Sequence, residues 1–324
     1  MAPGSEMDNL VEGEGASRGS LTAPTYAVQF FLIPLAVVAV TVGVYLGFRS
    51  LVTDERTAQE YLQVIQTGGA SDRWPAAYEL SRLMADPEVA SDPTLGPALV
   101  EAFRLSLDDT AAGWCGGLTT CQPVRRYLAL AVGRLQPPLP ADAIPALTDA
   151  LTDSDSETVI NAIWALGALG DVSVVPTLQE MYESSDPGIR KIAVYALGAL
   201  PGGEQRRLLE TALNDPVPDV QWNAAVALAQ LRSEAAVPML RRMLDRAYVQ
   251  SAVARASEAQ EFVRTANAGE ATDPVAAVMV GALQAIAALG DGSLRGAVEA
   301  VSEEEPSLRV RQAALETLKA LGPA

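Results

Sequence analysis

Residues 143–169, AIPALTDALTDSDSETVINAIWALGAL, are followed 31 positions later by 174–200, VVPTLQEMYESSDPGIRKIAVYALGAL, and then by 206–231, RRLLETALNDPVPDVQWNAAVALAQL. Leu166, Leu197 and Leu228 share one column of this repeat, and Ala165, Ala196 and Ala227 share the next. Pro145 and Pro176 align, with Pro238 in the same column two periods on. Each period holds two apolar patterns of helical spacing, which predicts an all-α solenoid of stacked helical hairpins. Folds of this kind are mostly surfaces for other proteins.

Within each unit the punctuation is local. Pro187 and Pro218 align where a second helix should open, a position whose first amide has no partner anyway. Pro216, Pro274 and Pro306 fall near the same boundary. Asp155 and Asp186 align just before it and can accept from the orphan amides there. The Ala and Leu columns form the buried stripe.

Composition narrows the chemistry. Lys and Arg total 23 against 40 Asp and Glu, a formal net charge of −17 over 324 residues. Nucleic-acid affinity comes largely from Lys and Arg neutralising phosphates, so DNA and RNA are not expected partners. The chain has no histidine. That removes Ser-His-Asp and Cys-His catalysis and zinc held by Cys and His. No Walker-type or GxGxxG loop occurs, and the acidic residues show no calcium or paired acid–base spacing. The run Glu303-Glu304-Glu305 reads as a solvated loop before the last helix. No cofactor and no catalysis are expected.

Outside the repeats, residues 1–24 are rich in Gly, Ser, Pro and acid and read as a disordered acidic tail. Residues 25–48 are almost wholly apolar, long enough to cross about 30 Å of hydrocarbon as one helix. Tyr26 and Tyr45 stand near its ends, Pro34 should kink it, and Gly43 and Gly47 form a GxxxG pair suited to self-association. Arg49 and Arg56 after the span against Arg18 before it place the repeats on the cytoplasmic side of a bacterial inner membrane, with a periplasmic placement the alternative. Residues 49–70 read as a membrane-proximal helix and linker, and 71–324 as the solenoid, because AAYEL at 76–80 already matches NAIWAL and IAVYAL. About 246–272 an alanine-rich insert interrupts the fourth regular unit. Inserts in repeat proteins project from one face.

The segments SDPGIRKIAVYALGAL, AIWALGALGD, AIAALGD and PSLRVRQAALETLKALG resemble HEAT-like repeats of the phycobilisome-lyase type over roughly residues 71–324. The resemblance implies the superhelical fold. For function it implies either a protein-binding scaffold or a factor that attaches bilin chromophores to cysteines of light-harvesting proteins. The family's Ile/Val-Arg pair is present at Ile189-Arg190 and Val310-Arg311, and replaced at Thr158-Val159 and Val220-Gln221. A membrane anchor is not part of the lyase pattern.

One column stands out as a candidate surface. Two residues before each signature Leu come Tyr78, Trp164 and Tyr195, then Val226, Gln284 and Glu316. A position that ranges from Trp to Glu suits the open inner face of the solenoid, where Tyr and Trp anchor interfaces. The alternative is packing against the next repeat. Trp74 and Trp222 share a second column, read as packing. Cys115 and Cys121 lie six apart in a Gly-rich loop and suit either a disulfide or two free thiols. These features together predict a membrane-anchored, non-catalytic scaffold that binds protein partners and helps organise an inner-membrane complex. The alternatives are a bilin lyase-like factor or a ligand-responsive sensor.

Overall fold

The computed structural model describes residues 33–52, 56–108, 118–259 and 273–322. The chain divides into two units, Met1–Arg56 and Thr57–Ala324. In the first unit the described element is helix α1 (Ile33–Val52). The second unit is a row of helical pairs: α2 (Ala58–Thr67) with α3 (Ala70–Leu83); a single turn α4 (Pro87–Ala90), then α5 (Leu95–Leu107) with α6 (Leu118–Val132); α7 (Ala143–Asp149) with α8 (Ser156–Leu169); α9 (Val175–Tyr182) with α10 (Pro187–Ala199); α11 (Arg206–Ala212) with α12 (Pro218–Gln230); α13 (Val237–Met243) and α14 (Arg246–Ala259) with α15 (Pro274–Leu289); and α16 (Arg295–Glu304) with α17 (Leu308–Ala320). No strand occurs among the described residues.

The sequence punctuation acts as its chemistry requires. Asp155 caps α8 by accepting from the Thr158 amide, and Asp186 caps α10 by accepting from the Gly188 amide. Pro187, Pro218 and Pro274 open α10, α12 and α15. Pro216 and Pro306 stay in the preceding loops. Gly170 ends α8 at φ +72°, a left-handed conformation that glycine adopts without a Cβ clash.

The second helices form one continuous row: α3 packs on α6, α6 on α8, α8 on α10, α10 on α12, α12 on α15 and α15 on α17. Glycine and alanine set how close they come. A Cβ on Gly133 would stand 2.6 Å from the Ala165 Cα; one on Gly167 would stand 2.7 Å from the Ala196 Cβ; one on Gly198 would stand 2.4 Å from the Ala227 Cβ. The alanine column of one repeat therefore occupies the space that the preceding repeat leaves by using glycine. Leu166, Leu197 and Leu228 are fully buried beside this seam.

The first described hairpin starts earlier than residue 71. Thr57 and Glu60 form a capping box at α2, and Tyr61, Leu62 and Ile65 bury against the solenoid core. α2 is thus the first helix of the first pair, within the stretch 49–70 that the sequence reads as a membrane-proximal helix and linker.

The expected membrane placement is corrected. No helix among the described residues is long and apolar enough to cross a membrane. Helix α1 is described from Ile33 through Pro34, Arg49 and Ser50 to Val52. The single-pass inner-membrane localisation, the cytoplasmic or periplasmic choice built on it, and lipid contact through 25–48 are therefore withdrawn. So is self-association through Gly43 and Gly47, which needed a membrane helix. The acidic tail 1–24 and residues 25–32 of the apolar stretch lie outside the described residues.

Candidate functional site

On α6 and α10, arginines tie one repeat to the loop ahead of the next second helix. Arg125 on α6, 2% exposed, donates from Nη1 to Asp153 Oδ2 at 2.7 Å and from Nε to the Ser106 carbonyl at 2.5 Å. Arg190 occupies the equivalent place on α10 and grips Asp215 with two donors, at 2.9 and 3.2 Å. Two-pronged guanidinium–carboxylate pairs of this kind fix orientation as well as charge. The bond to Asp215 holds the Arg190 guanidinium above its ordinary range; burial pushes the nearby Tyr182 phenol up, and the Asp215 charge adds to it. Next to Arg125, Arg126 clasps the Asp155 carboxylate at 2.7 and 2.5 Å, and that hydrogen bond holds Asp155 well below the usual carboxylate range.

On α15 the register places Met279 where Arg190 stands on α10. The compensating cation comes from the insert. Arg246, at the start of α14, donates to Glu305 before the last helix at 2.7 Å. The described part of the insert is therefore helix α14, while residues 260–272 lie outside the described residues.

That same boundary opens a groove of about 600 Å³ on the second-helix row. Its walls come from α8 (Trp164), α10 (Lys191, Ile192, Tyr195), α12 (Asp219, Trp222, Asn223, Val226) and α15 (Pro274, Val278, Gly281), with Met243 and Val253 from α13 and α14. Trp164, Tyr195 and Val226 stand one per repeat, 31 residues apart, so the lining is the candidate aromatic column itself. Tyr195 is 49% exposed, more than a packed ring would be. Trp222 is buried and closes the floor, its Nε1–H donating to Tyr248 Oη at 3.4 Å, while the Arg242 guanidinium lies 4.4 Å over the Tyr248 ring. This stack fastens α14 against α12. Lys191 and Asp219 meet at 3.6 Å on the exposed rim, a contact worth little in water.

The structure brings two of the three candidate aromatics, Trp164 and Tyr195, into one groove and leaves Tyr78 outside it. Tyr78, on α3 and 39% exposed, meets the edge of Tyr127 at 5.2 Å with Arg82 at 5.8 Å over its face. Trp74 is exposed on the same helix, unlike its column partner Trp222. Gln284 and Glu316 continue the column as exposed polar side chains. Cys121, buried in α6, is disulfide-bonded; Cys115, the other cysteine of the sequence, lies outside the described residues. No cluster of three or more His, Cys, Asp or Glu suited to a metal occurs among the described residues.

Arg134 was not singled out from sequence. It lies in the turn after α6, its guanidinium 5.8 Å over the Trp164 ring. The signal was present: Arg82 and Arg134 each stand two residues past the signature position, where Ala168 and Ala199 follow in later repeats.

Residues 118–198 and 178–258 match the family profile described as HEAT repeats. Residues 118–258 of this solenoid thus carry HEAT repeats. Among solved structures, this HEAT-repeat chain is similar to the complex of CpcE and CpcF of phycocyanin lyase from Nostoc sp. PCC7120, at 20% identity over 83% of this chain and 96% of that one, with a TM-score of 0.52. Human deoxyhypusine hydroxylase matches at 18% identity over 82% and 95% of the two chains, TM-score 0.29. A designed armadillo repeat protein matches at 16% identity over 82% and 100%, TM-score 0.30. The likeness to the lyase complex is one of fold, an all-α helical-repeat solenoid. No curated protein matches the sequence.

Proposed function

We propose that this HEAT-repeat chain is a non-catalytic protein-binding scaffold that holds a segment of a partner in the groove across α8, α10, α12 and α15. The observation that carries this reading is Tyr195: a large ring half exposed in a groove whose other rings, Trp164 and Trp222, are packed in place. Rigid aromatic rings at a concave apolar surface supply contact area at little entropic cost. The solenoid frame is held by glycine–alanine contacts and buried arginines, so the groove is preformed.

A second reading rests on the likeness to the phycocyanin lyase complex: the groove cradles a tetrapyrrole for a modifying reaction. Its volume falls in the range of small-molecule sites. The two readings separate experimentally. Trp164→Ala with Tyr195→Ala should abolish retention of the protein partner on the tagged chain while its helical circular dichroism is kept and its melting temperature falls, and Tyr195→Ala alone, at the half-exposed ring, should weaken retention with the melting unchanged. Retention unchanged in the double variant contradicts the scaffold reading. A bilin added to the purified chain should leave its absorbance spectrum unshifted; a shifted, coloured complex favours the lyase-like reading.

A further inference from the structure

The groove is apolar within, yet one of the rings that line it, Trp164, carries a cation without a counter-charge over its face. Trp164 is shared by two environments: it lines the groove, and Arg134 lies over its ring. Arg82 and Arg126 are paired with Glu79 and Asp155, whereas Arg134 has no carboxylate within 4 Å among the described residues. Its Nε is buried and has no hydrogen-bond partner among the described residues. A buried donor left unmade costs more than a typical hydrogen bond returns, and a chain with 40 acidic residues has carboxylates to spare for pairing. The guanidinium is planar, holds its charge at any ordinary pH, and stacks on indole while its edge still donates.

We infer that Arg134, stacked on Trp164, recognises a carboxylate of the protein segment that enters the groove. The segment carries an Asp or Glu beside a large apolar side chain; the carboxylate meets Arg134 and the apolar group enters between Trp164 and Tyr195. The inference deepens the scaffold reading and rests on it. Local charge selects for this partner even though the chain as a whole is acidic: the Nη groups of Arg134, beside the groove ring Trp164, offer a carboxylate a partner there. The rim pair Lys191–Asp219 is already self-compensated and contributes no such preference.

The probe is a phage-displayed library of random peptides selected on the immobilised full chain, followed by fluorescence anisotropy of the enriched peptides. The expected result is enrichment of peptides with Asp or Glu next to a large apolar residue. Arg134→Gln should weaken them about tenfold, the scale of one charge-assisted hydrogen bond, and reduce the salt dependence of binding. Arg134→Lys keeps the charge without the stacked plane and should fall between. Peptides that lose binding in Trp164→Ala with Tyr195→Ala, yet carry no carboxylate or bind Arg134→Gln unchanged, would overturn this inference and leave the scaffold reading standing. No enriched peptide, or peptides indifferent to both aromatic substitutions, would overturn both.

Discussion

The contacts from α6 to α12 and the boundary from α12 to α15 are built on the same repeat and do different things. In the first region glycine meets alanine at each of three successive interfaces, and arginine rungs link α6 and α10 to the loops ahead of them. At the second boundary the glycine column holds Ala229, the arginine column holds Gln221, and an extra helix has entered. There α14 supplies an ionic link through Arg246 to Asp273 ahead of α15, and on to Glu305 ahead of α17, and forms one wall of the groove through Val253. Regular repetition makes a stiff frame; the place where it is broken makes a concavity. In this solenoid the departures from the period are where a partner has something to grip.

Perturbing the frame should cost more than perturbing the boundary. The largest effect is expected for Arg125→Met, which strands the 4%-exposed Asp153 carboxylate: about 3–5 kcal/mol of stability by denaturant unfolding. The matching change at the boundary, Arg246→Met, strands the 5%-exposed Glu305 carboxylate but removes an arginine already 28% exposed, and should cost less, about 2–3 kcal/mol. Equal losses would show that the insert helix is as integral as the regular rungs.

Gly198→Val tests the seam. Its added carbons meet Ala227 with no room to yield, and the expected loss is about 2–3 kcal/mol. Between these and the smallest effect lies the acid response. Asp155 has a depressed folded-state pKa because Arg126 donates to it, so its contribution is complete above the unfolded carboxylate value of about 4 and is lost as pH falls through the lower folded value. Asp155→Asn should therefore be less stable than the wild type at neutral pH, with the gap closing below about pH 4. A constant gap would place the stabilisation in shape and not in charge. Gly281→Ala should stabilise the chain by about 0.5–1 kcal/mol, since no group lies within 4 Å of a Cβ there and alanine is the better helix former. Glycine in the seam and glycine in the groove wall thus predict opposite signs for one kind of substitution.

Much of the frame could be read from residues alone because it is local and periodic. The Leu and Ala columns, the aspartate caps at Asp155 and Asp186 and the opening prolines all sit at fixed spacing. The aromatic column was legible for the same reason, and its split was not: Tyr78 differs from Tyr195 only through Tyr127, which a different helix brings to it. Arg246 replacing the lost arginine could not be read, because the insert puts it out of register with the column it serves. The apolar stretch 25–48 misled for a related reason. Hydropathy measures composition, whereas a span also requires one helix both long and apolar enough, which no helix among the described residues is.

The central claim is that the second-helix groove at the interrupted boundary is the surface a partner occupies. It is tested most directly by placing a photo-crosslinking phenylalanine analogue at Tyr195, and separately at Val172, exposed ahead of α9, in the full chain expressed in its native cells. The account predicts a discrete crosslinked protein from Tyr195 on irradiation and none from Val172. No crosslink from Tyr195, or the same product from both positions, would contradict it.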